Sequence, residues 1–319
     1  MVEVRDMYGR SFKTLRVSLI NTCNLGCIYC TFGNEEIREN HQESKEKALS
    51  NTELVKSITQ LHEVLDLETI RFTGGEPLLY KELPQLVKSV KSAGISNLKI
   101  TTNGLLLEDQ AKPLKDAGIT ELNVSLDAID EDVFYKVSRR SGLNRILRGI
   151  DASVTQGIKV KLNSVIMRGI NDSQIMPLLN YAFSKGITIR FLEIMAMGHL
   201  FGNSNNQFFS QEEILSLIGE HYKFNKLTRT SSSTANYWQT EDKNKFGIVA
   251  NETEPFCSDC NRLRLDSYGN IYGCLSSNHP ISIQNLNNAE LVIRLKQALQ
   301  QKQVLKFTGS ELSMMHIGG

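Results

Sequence analysis

The sequence has no uninterrupted apolar run of about 18 residues, the length a membrane-spanning helix needs, so no span is expected. It has no excess of either charge. Its 36 Lys and Arg stand against 35 Asp and Glu, for a net charge of +1. That balance argues against a nucleic-acid binder acting through bulk positive charge, but it leaves room for a locally basic site. Cysteine is scarce: six in 319 residues, too few to staple a chain of this length into a disulfide scaffold. A hydrophobic fraction of 40% and a charged fraction of 22% argue against disordered and fibrous classes. The start, MVEVRDMYGRSFKTLRVSLI, is charged and then strand-like, with no small-residue cleavage site after an apolar run. No signal peptide is expected, and the default is a soluble cytoplasmic protein with reduced thiols.

What is present is a regular alternation. Strand-like runs cover 15–20, 68–72, 98–102, 121–127, 160–166 and 187–195. Helical spacing covers 51–66, with Asn51 or Thr52 as the cap, then 82–94, 107–118, 131–137, 143–156 and 173–186. A proline, Pro113, is expected in the first turn of the 107–118 helix. Gly94, Gly118, Gly157 and Gly186 each follow a helical pattern and precede a β-branched run, as C-terminal caps do. Six such units argue for an α/β protein with a mostly parallel sheet. A doubly wound sheet prefers a Gly-rich loop after its first strand, whereas here that strand runs into cysteines. The periodicity alone leaves sheet or barrel open. Beyond residue 196 the texture changes: 198–210 and 229–245 are polar and loop-rich. The chain is read as a core, 1–199, and a C-terminal region, 200–319. No Pro- or Gly-rich linker separates them, so the second is expected to lie across the open side of the first.

All six cysteines fall in two groups near opposite ends, with none between Cys30 and Cys257. Cys23, Cys27 and Cys30 have CxxxCxxC spacing directly after the first strand. Three thiolates on one tight loop suit three irons of a [4Fe–4S] cube and leave the fourth iron for a small molecule. Structural zinc wants a complete four-ligand set, and the nearest histidine, His41, lies in a polar segment. The second group is Cys257, Cys260 and, after 13 residues, Cys274. Alone, it leaves zinc open, with a fourth ligand from His279 or Asp259. In the strand-like Arg-Leu-Arg-Leu-Asp that follows Asn261, alternation puts Arg262 and Arg264 on one face. Guanidinium forks there suit phosphate oxygens.

The first group, with Tyr29 before its last cysteine, resembles the radical S-adenosylmethionine (SAM) superfamily. The stretch CSDCNRLRLDSYGNIYGCL resembles the GTP 3′,8-cyclase family of molybdenum cofactor biosynthesis. The resemblance runs on through LRVSL, IRFTGGEPLL, ELNVSLDAID, VKLNSVIMRG, IRFLEIMAMG and the terminal HIGG. It implies an incomplete (β/α)6 barrel of the TIM type, closed on its open side by the C-terminal region. It implies two [4Fe–4S] clusters, the first on Cys23, Cys27 and Cys30, the second on Cys257, Cys260 and Cys274. SAM contacts are implied at Tyr29, Gly74, Gly75, Glu76, Pro77, Thr102, Asn103 and Ser125, with Asp127 following. Contacts to GTP are implied at Arg16, Arg71, Lys161, Arg190, Arg262 and Arg264, with Asn163 beside Lys161. The tail, Gly318 and Gly319, is implied to extend into the site.

The implied activity is that of a lyase. An external donor such as flavodoxin or ferredoxin reduces the first cluster, and SAM yields a 5′-deoxyadenosyl radical. That radical takes the 3′ hydrogen of GTP, and attack on C8 leads to 3′,8-cyclo-7,8-dihydro-GTP. The product passes to cyclic pyranopterin monophosphate synthase. No nucleic-acid or membrane partner is implied, and a homodimer stays open. The sequence departs from the family pattern at Asn21, Thr22, Gly26, Thr69 and Ala196. These positions lose positive charge or alter a loop, so a two-cluster radical SAM enzyme acting on another nucleotide, a peptide or a different small molecule stays open as the alternative.

Overall fold

The computed structural model describes residues 4–31, 47–202 and 206–318. His41 and Gly319 lie outside the described residues. Strands β1 (Thr14–Ser18), β2 (Thr69–Thr73), β3 (Asn97–Thr102), β4 (Ile119–Ser125), β5 (Lys159–Ile166) and β6 (Thr188–Glu193) lie side by side in chain order, all parallel. Helices α1 (Asn51–Leu65), α2 (Leu83–Ser92), α3 (Leu107–Ala117), α4 (Glu131–Ser138), α5 (Leu143–Thr155) and α6 (Ile175–Ser184) run between them. These are the six strands and six helices that the periodicity predicts.

Side-chain alternation explains how the sheet is used. Ile70, Phe72, Leu98, Ile100, Leu122, Val124 and Leu162 are fully buried in the main core. The residues between them, Arg71, Lys99, Glu121 and Lys161, belong to the opposite face. A parallel sheet covered by helices on both faces reads as continuously apolar. Here one face is apolar and the other carries charge, so the second face lines a lumen.

Two local expectations are corrected. The cap of α1 is Ser50, not Asn51 or Thr52: its hydroxyl accepts from the Glu53 amide, and Glu53 reaches back to the Ser50 amide at 2.7 Å. Pro113 sits in the interior of α3, not its first turn. It lies on the exposed side, where the carbonyl it deprives of a partner meets water.

The C-terminal region extends the sheet at both edges. Helix α7 (Gln211–Gly219) is followed by β7 (Phe224–Lys226), β8 (Asn236–Thr240) and β9 (Lys245–Val249). β9 pairs parallel with β6, and β8 and β7 follow antiparallel. Then β10 (Arg262–Leu265) pairs parallel with β1, and β11 (Asn270–Tyr272) and β12 (Ile281–Ser282) follow antiparallel. Helices α8 (Asn288–Leu299) and α9 (Met314–Ile317) complete the chain. The 12-stranded sheet is open, with β12 at one edge and β7 at the other. The architecture is a partial barrel of six βα units, with the C-terminal region closing its open side. Part of the 229–245 stretch, loop-like in sequence, is β8. That strand buries Asn236, Trp238 and Thr240 in alternation, and Trp238 stacks on Phe246 with ring centroids 5.7 Å apart. No described helix is long and apolar enough to cross a membrane.

The join between β11 and α8 leaves no room for a side chain. A Cβ on Gly273 would overlap the carbonyl of Ala298, whereas one on Gly219 would meet nothing. Gly273→Ala should lower Tm by about 5 °C or more, while Gly219→Ala should leave it unchanged or raise it. Thermal denaturation of the two variants checks this, and equal Tm values would refute the packing argument.

Candidate active site

The first cysteine loop is set against the end of β2 by backbone bonds. Leu19 N donates to Thr73 O at 3.0 Å, Gly75 N to Ile20 O at 2.6 Å and Glu76 N to Thr22 O at 2.8 Å. Gly74 and Gly75 permit this approach: a Cβ on Gly74 would stand 2.6 Å from Ile20 O, and one on Gly75 would overlap Thr22 O. On its other side the loop is pinned to the end of α4, by Gly26 N to Ser138 O at 2.9 Å and Ile28 N to Val137 O at 3.0 Å. Gly26, where the family has a common arginine, lies beside Arg139, whose guanidinium donates to Thr31 O at 3.1 Å.

Cys23, Cys27 and Cys30 stand on the rim of a cavity of about 180 Å³. Of the implied SAM contacts, Tyr29, Gly74, Gly75, Thr102, Asn103 and Ser125 also line it. Glu76 is instead turned into the protein. It accepts from Leu78 N at 3.0 Å, Thr102 Oγ1 at 2.6 Å and Asn103 N at 2.7 Å, tying the end of β2 to the end of β3. Burial pushes its carboxyl up to about 7 despite those three donors. Pro77 opens the short helical turn behind it. Asp127 accepts from Tyr29 Oη and from Val165 N, both at 2.8 Å, and burial pushes it up to about 6.

Both cysteine groups fit iron–sulfur ligation by their chemistry. Cys23 Sγ accepts from Leu25 N at 3.5 Å and from Asn103 Nδ2 at 3.6 Å, as a ligating sulfur does. Burial pushes Cys23 up to about 11, and burial with nearby Asp127, Cys30 and Cys23 raises Cys27. Such thiols are costly to ionise alone and favour a cation that neutralises them. Among the described residues, no group of three or more His, Cys, Asp or Glu is gathered to hold a single metal ion.

The second group is clamped from three sides. Arg10 Nη1 donates to Cys257 O at 2.6 Å, and Lys302 Nζ to Cys260 Sγ at 3.5 Å and to Arg262 O. Arg229 grips both carboxylate oxygens of Asp259 at 2.7 and 2.8 Å, so this proposed fourth ligand is already engaged. His279 is exposed. Burial and the neighbouring Cys274 and Cys260 push Cys257 up to about 11. Burial raises Cys260 too, but Lys302 and Arg262 outweigh it and bring the thiol down to about 7.

The implied substrate residues come together on the inner face of the sheet. Register places Arg264, Arg16, Arg71, Lys99 and Glu121 in one row across β10, β1, β2, β3 and β4. Burial and the charges of Arg264, Arg71, Arg262 and Arg190 hold Arg16 well below the usual guanidinium range. Arg190 donates twice to Asn163 Oδ1, at 2.9 and 2.6 Å. Arg262 donates to Ser232 O at 2.6 Å. Arg264 donates to Ile317 O at 3.1 Å and to Gly318 O, so it holds the tail. A Cβ on Gly318 would overlap Thr73, and Ser18 Oγ donates to His316 O at 3.2 Å. The tail thus seats against the ends of β1 and β2, and Met314 and Met315 line the cavity. Thr69 accepts from Asn97 at 2.7 Å, and Ala196 O accepts from Ser310 N at 3.1 Å. The sequence reading missed Lys99 and Glu121. Their positions in alternating strands were the available signal, but only the register shows what they meet.

The radical SAM superfamily model matches residues 17–182, and a second, Molybdenum Cofactor Synthesis C, matches 187–307. The GTP 3′,8-cyclase of Synechocystis sp. (strain ATCC 27184 / PCC 6803 / Kazusa) is 35% identical, over 98% of this chain and 94% of its own. That of Staphylococcus epidermidis (strain ATCC 12228 / FDA PCI 1200) is 37% identical, over 85% and 81%. Among solved structures, Streptococcus suis SuiB matches with a TM-score of 0.62 at 13% identity, over 83% of this chain and 60% of its own, a likeness of fold. The length and identity of these matches show that the chain belongs to the radical SAM superfamily and, within it, to the GTP 3′,8-cyclase family.

Proposed function

We propose that the chain cyclises GTP to 3′,8-cyclo-7,8-dihydro-GTP, the first step of molybdenum cofactor biosynthesis. The observation that carries this reading is the set of inward-facing cations on a sheet flanked by two three-cysteine groups. Members of the radical SAM superfamily use SAM and an iron–sulfur cluster. In this reading Cys23, Cys27 and Cys30 hold the first [4Fe–4S] cluster, and Cys257, Cys260 and Cys274 a second. When bound, the first cluster and SAM supply one-electron reductive cleavage and so a hydrogen-abstracting radical.

The protein's own residues bind, orient and exclude water. Tyr29, Gly74, Gly75, Thr102, Asn103 and Ser125 form the SAM side of the cavity, with Glu76 positioning Thr102 and Asn103 and Pro77 shaping the turn. Arg16, Arg71, Lys161, Arg190 and Arg262 receive the triphosphate, whose charge relieves the repulsion among them. Arg264 contributes by holding the tail at Ile317 and Gly318 over the site. A fixed substrate pose brings the ribose C3′ and the base C8 into reach of one another. An external one-electron donor such as flavodoxin or ferredoxin, a downstream cyclic pyranopterin monophosphate synthase and a cytoplasmic setting belong to the same proposal.

Two measurements test it. Anaerobic reconstitution should load roughly eight irons per chain, and Cys257→Ala should load about half as many; four irons in the unaltered protein would remove the second cluster. With reductant and SAM, turnover to the cyclised product should require GTP over other nucleoside triphosphates, and GTP-independent turnover to a different product would overturn the substrate.

A further inference from the structure

Glu121 is an anion set among the cations of the lumen. Its Oε1 meets Arg71 Nη2 at 2.9 Å and Lys99 Nζ at 3.8 Å, and its Oε2 meets Lys161 Nζ at 3.0 Å. Its side chain is 8% exposed. Among the described residues, it is the one carboxylate ion-paired with any of Arg16, Arg71, Lys99, Lys161, Arg190, Arg262 and Arg264. Burial works to raise its carboxyl, but Lys161, Lys99 and Arg71 outweigh burial and hold it down at about 2, so it stays charged. Arg190, Arg262 and Arg264 bond neutral partners: the Asn163 amide, the Ser232 carbonyl and the tail carbonyls.

We infer that Glu121 is a specificity-determining residue that limits how much negative charge the lumen accepts, by occupying donors of Arg71 and Lys161 that otherwise turn to phosphate oxygens. This rests on the lumen being the polyphosphate site of the proposed function. A carboxylate this close repels each added phosphate in a medium of low dielectric. It also relieves repulsion between the cations before any ligand arrives, so it stabilises the free protein and weakens the bound state.

Glu121→Gln keeps the shape and removes the charge. In the anaerobically reconstituted protein, calorimetry should show inorganic triphosphate binding about tenfold more tightly, with a steeper dependence on salt. The ligand-free Tm should fall, and the rise in Tm with triphosphate should exceed that of the unaltered protein. The preference for GTP over GDP should increase. A lower Tm with unchanged or weaker triphosphate binding would assign Glu121 a structural role and overturn the inference. If Glu121→Gln does not fold, Glu121→Gln/Lys99→Met restores the net charge of the row. It should bind triphosphate as the unaltered protein does, and a loss of tenfold or more would overturn the inference. If triphosphate binding tightens while GTP binds no better than other nucleoside triphosphates, the charge limit stands and the GTP reading fails.

Discussion

The parallel pairing of β10 with β1 is the constraint on which the rest depends. It joins the end of the chain to its beginning and sets Arg264 beside Arg16 and Arg262 beside Thr14. β10 begins two residues after Cys260, and β1 ends five residues before Cys23. One parallel ladder therefore sets the two cysteine groups at opposite ends of the β1–β10 pair, the second before its start and the first beyond its end. It also brings the tail to the mouth of the lumen, because Arg264 reaches the carbonyls of Ile317 and Gly318.

A sheet with charge on its inner face is expensive unless something anionic comes to it. The arginine cluster around Arg16 carries that cost, and its guanidinium is held well below its usual range by burial and its neighbours. Interactions of this kind are strong because water is excluded. Stability and ligand recognition are therefore set against one another within the lumen, and Glu121 is where the two meet. The apolar face bears the opposite load: fully buried Ile70, Phe72, Ile100, Leu122 and Leu162 pack against helices and supply the rigidity that holds the charged face in register.

The two cysteine loops reach similar ends by different means. The first is held by backbone bonds to β2 and α4 and by two glycines that admit no side chain. The second is held by long cationic side chains from distant parts of the chain: Arg10, Lys302 and, between β7 and β8, Arg229. Lys302, with Arg262, lowers Cys260, whereas burial dominates at Cys23 and Cys27. The two groups therefore offer electrostatically different surroundings to whatever they bind.

The six βα units were legible in the sequence because each is a local repeat of period and cap, and Gly118 caps α3 in the left-handed conformation expected of it. Both cysteine groups were also legible, since spacing is a property of neighbours along the chain, whereas Gly74, Gly75, Arg71, Lys161 and Arg190 were singled out by family resemblance and not by periodicity. The short strands β7, β8, β11 and β12 were not legible, because strands of two to five residues carry too little pattern and are formed by partners elsewhere. The turning inward of Glu76, the capture of Asp259 by Arg229 and the engagement of Arg264 with the tail were decided only in three dimensions. So was the row that ends in Lys99 and Glu121. The sequence by itself determined which chemical groups the protein carries and which face of each element they occupy. Tertiary structure alone decided which charges stand opposite one another, because register between parallel strands is set by packing between distant segments.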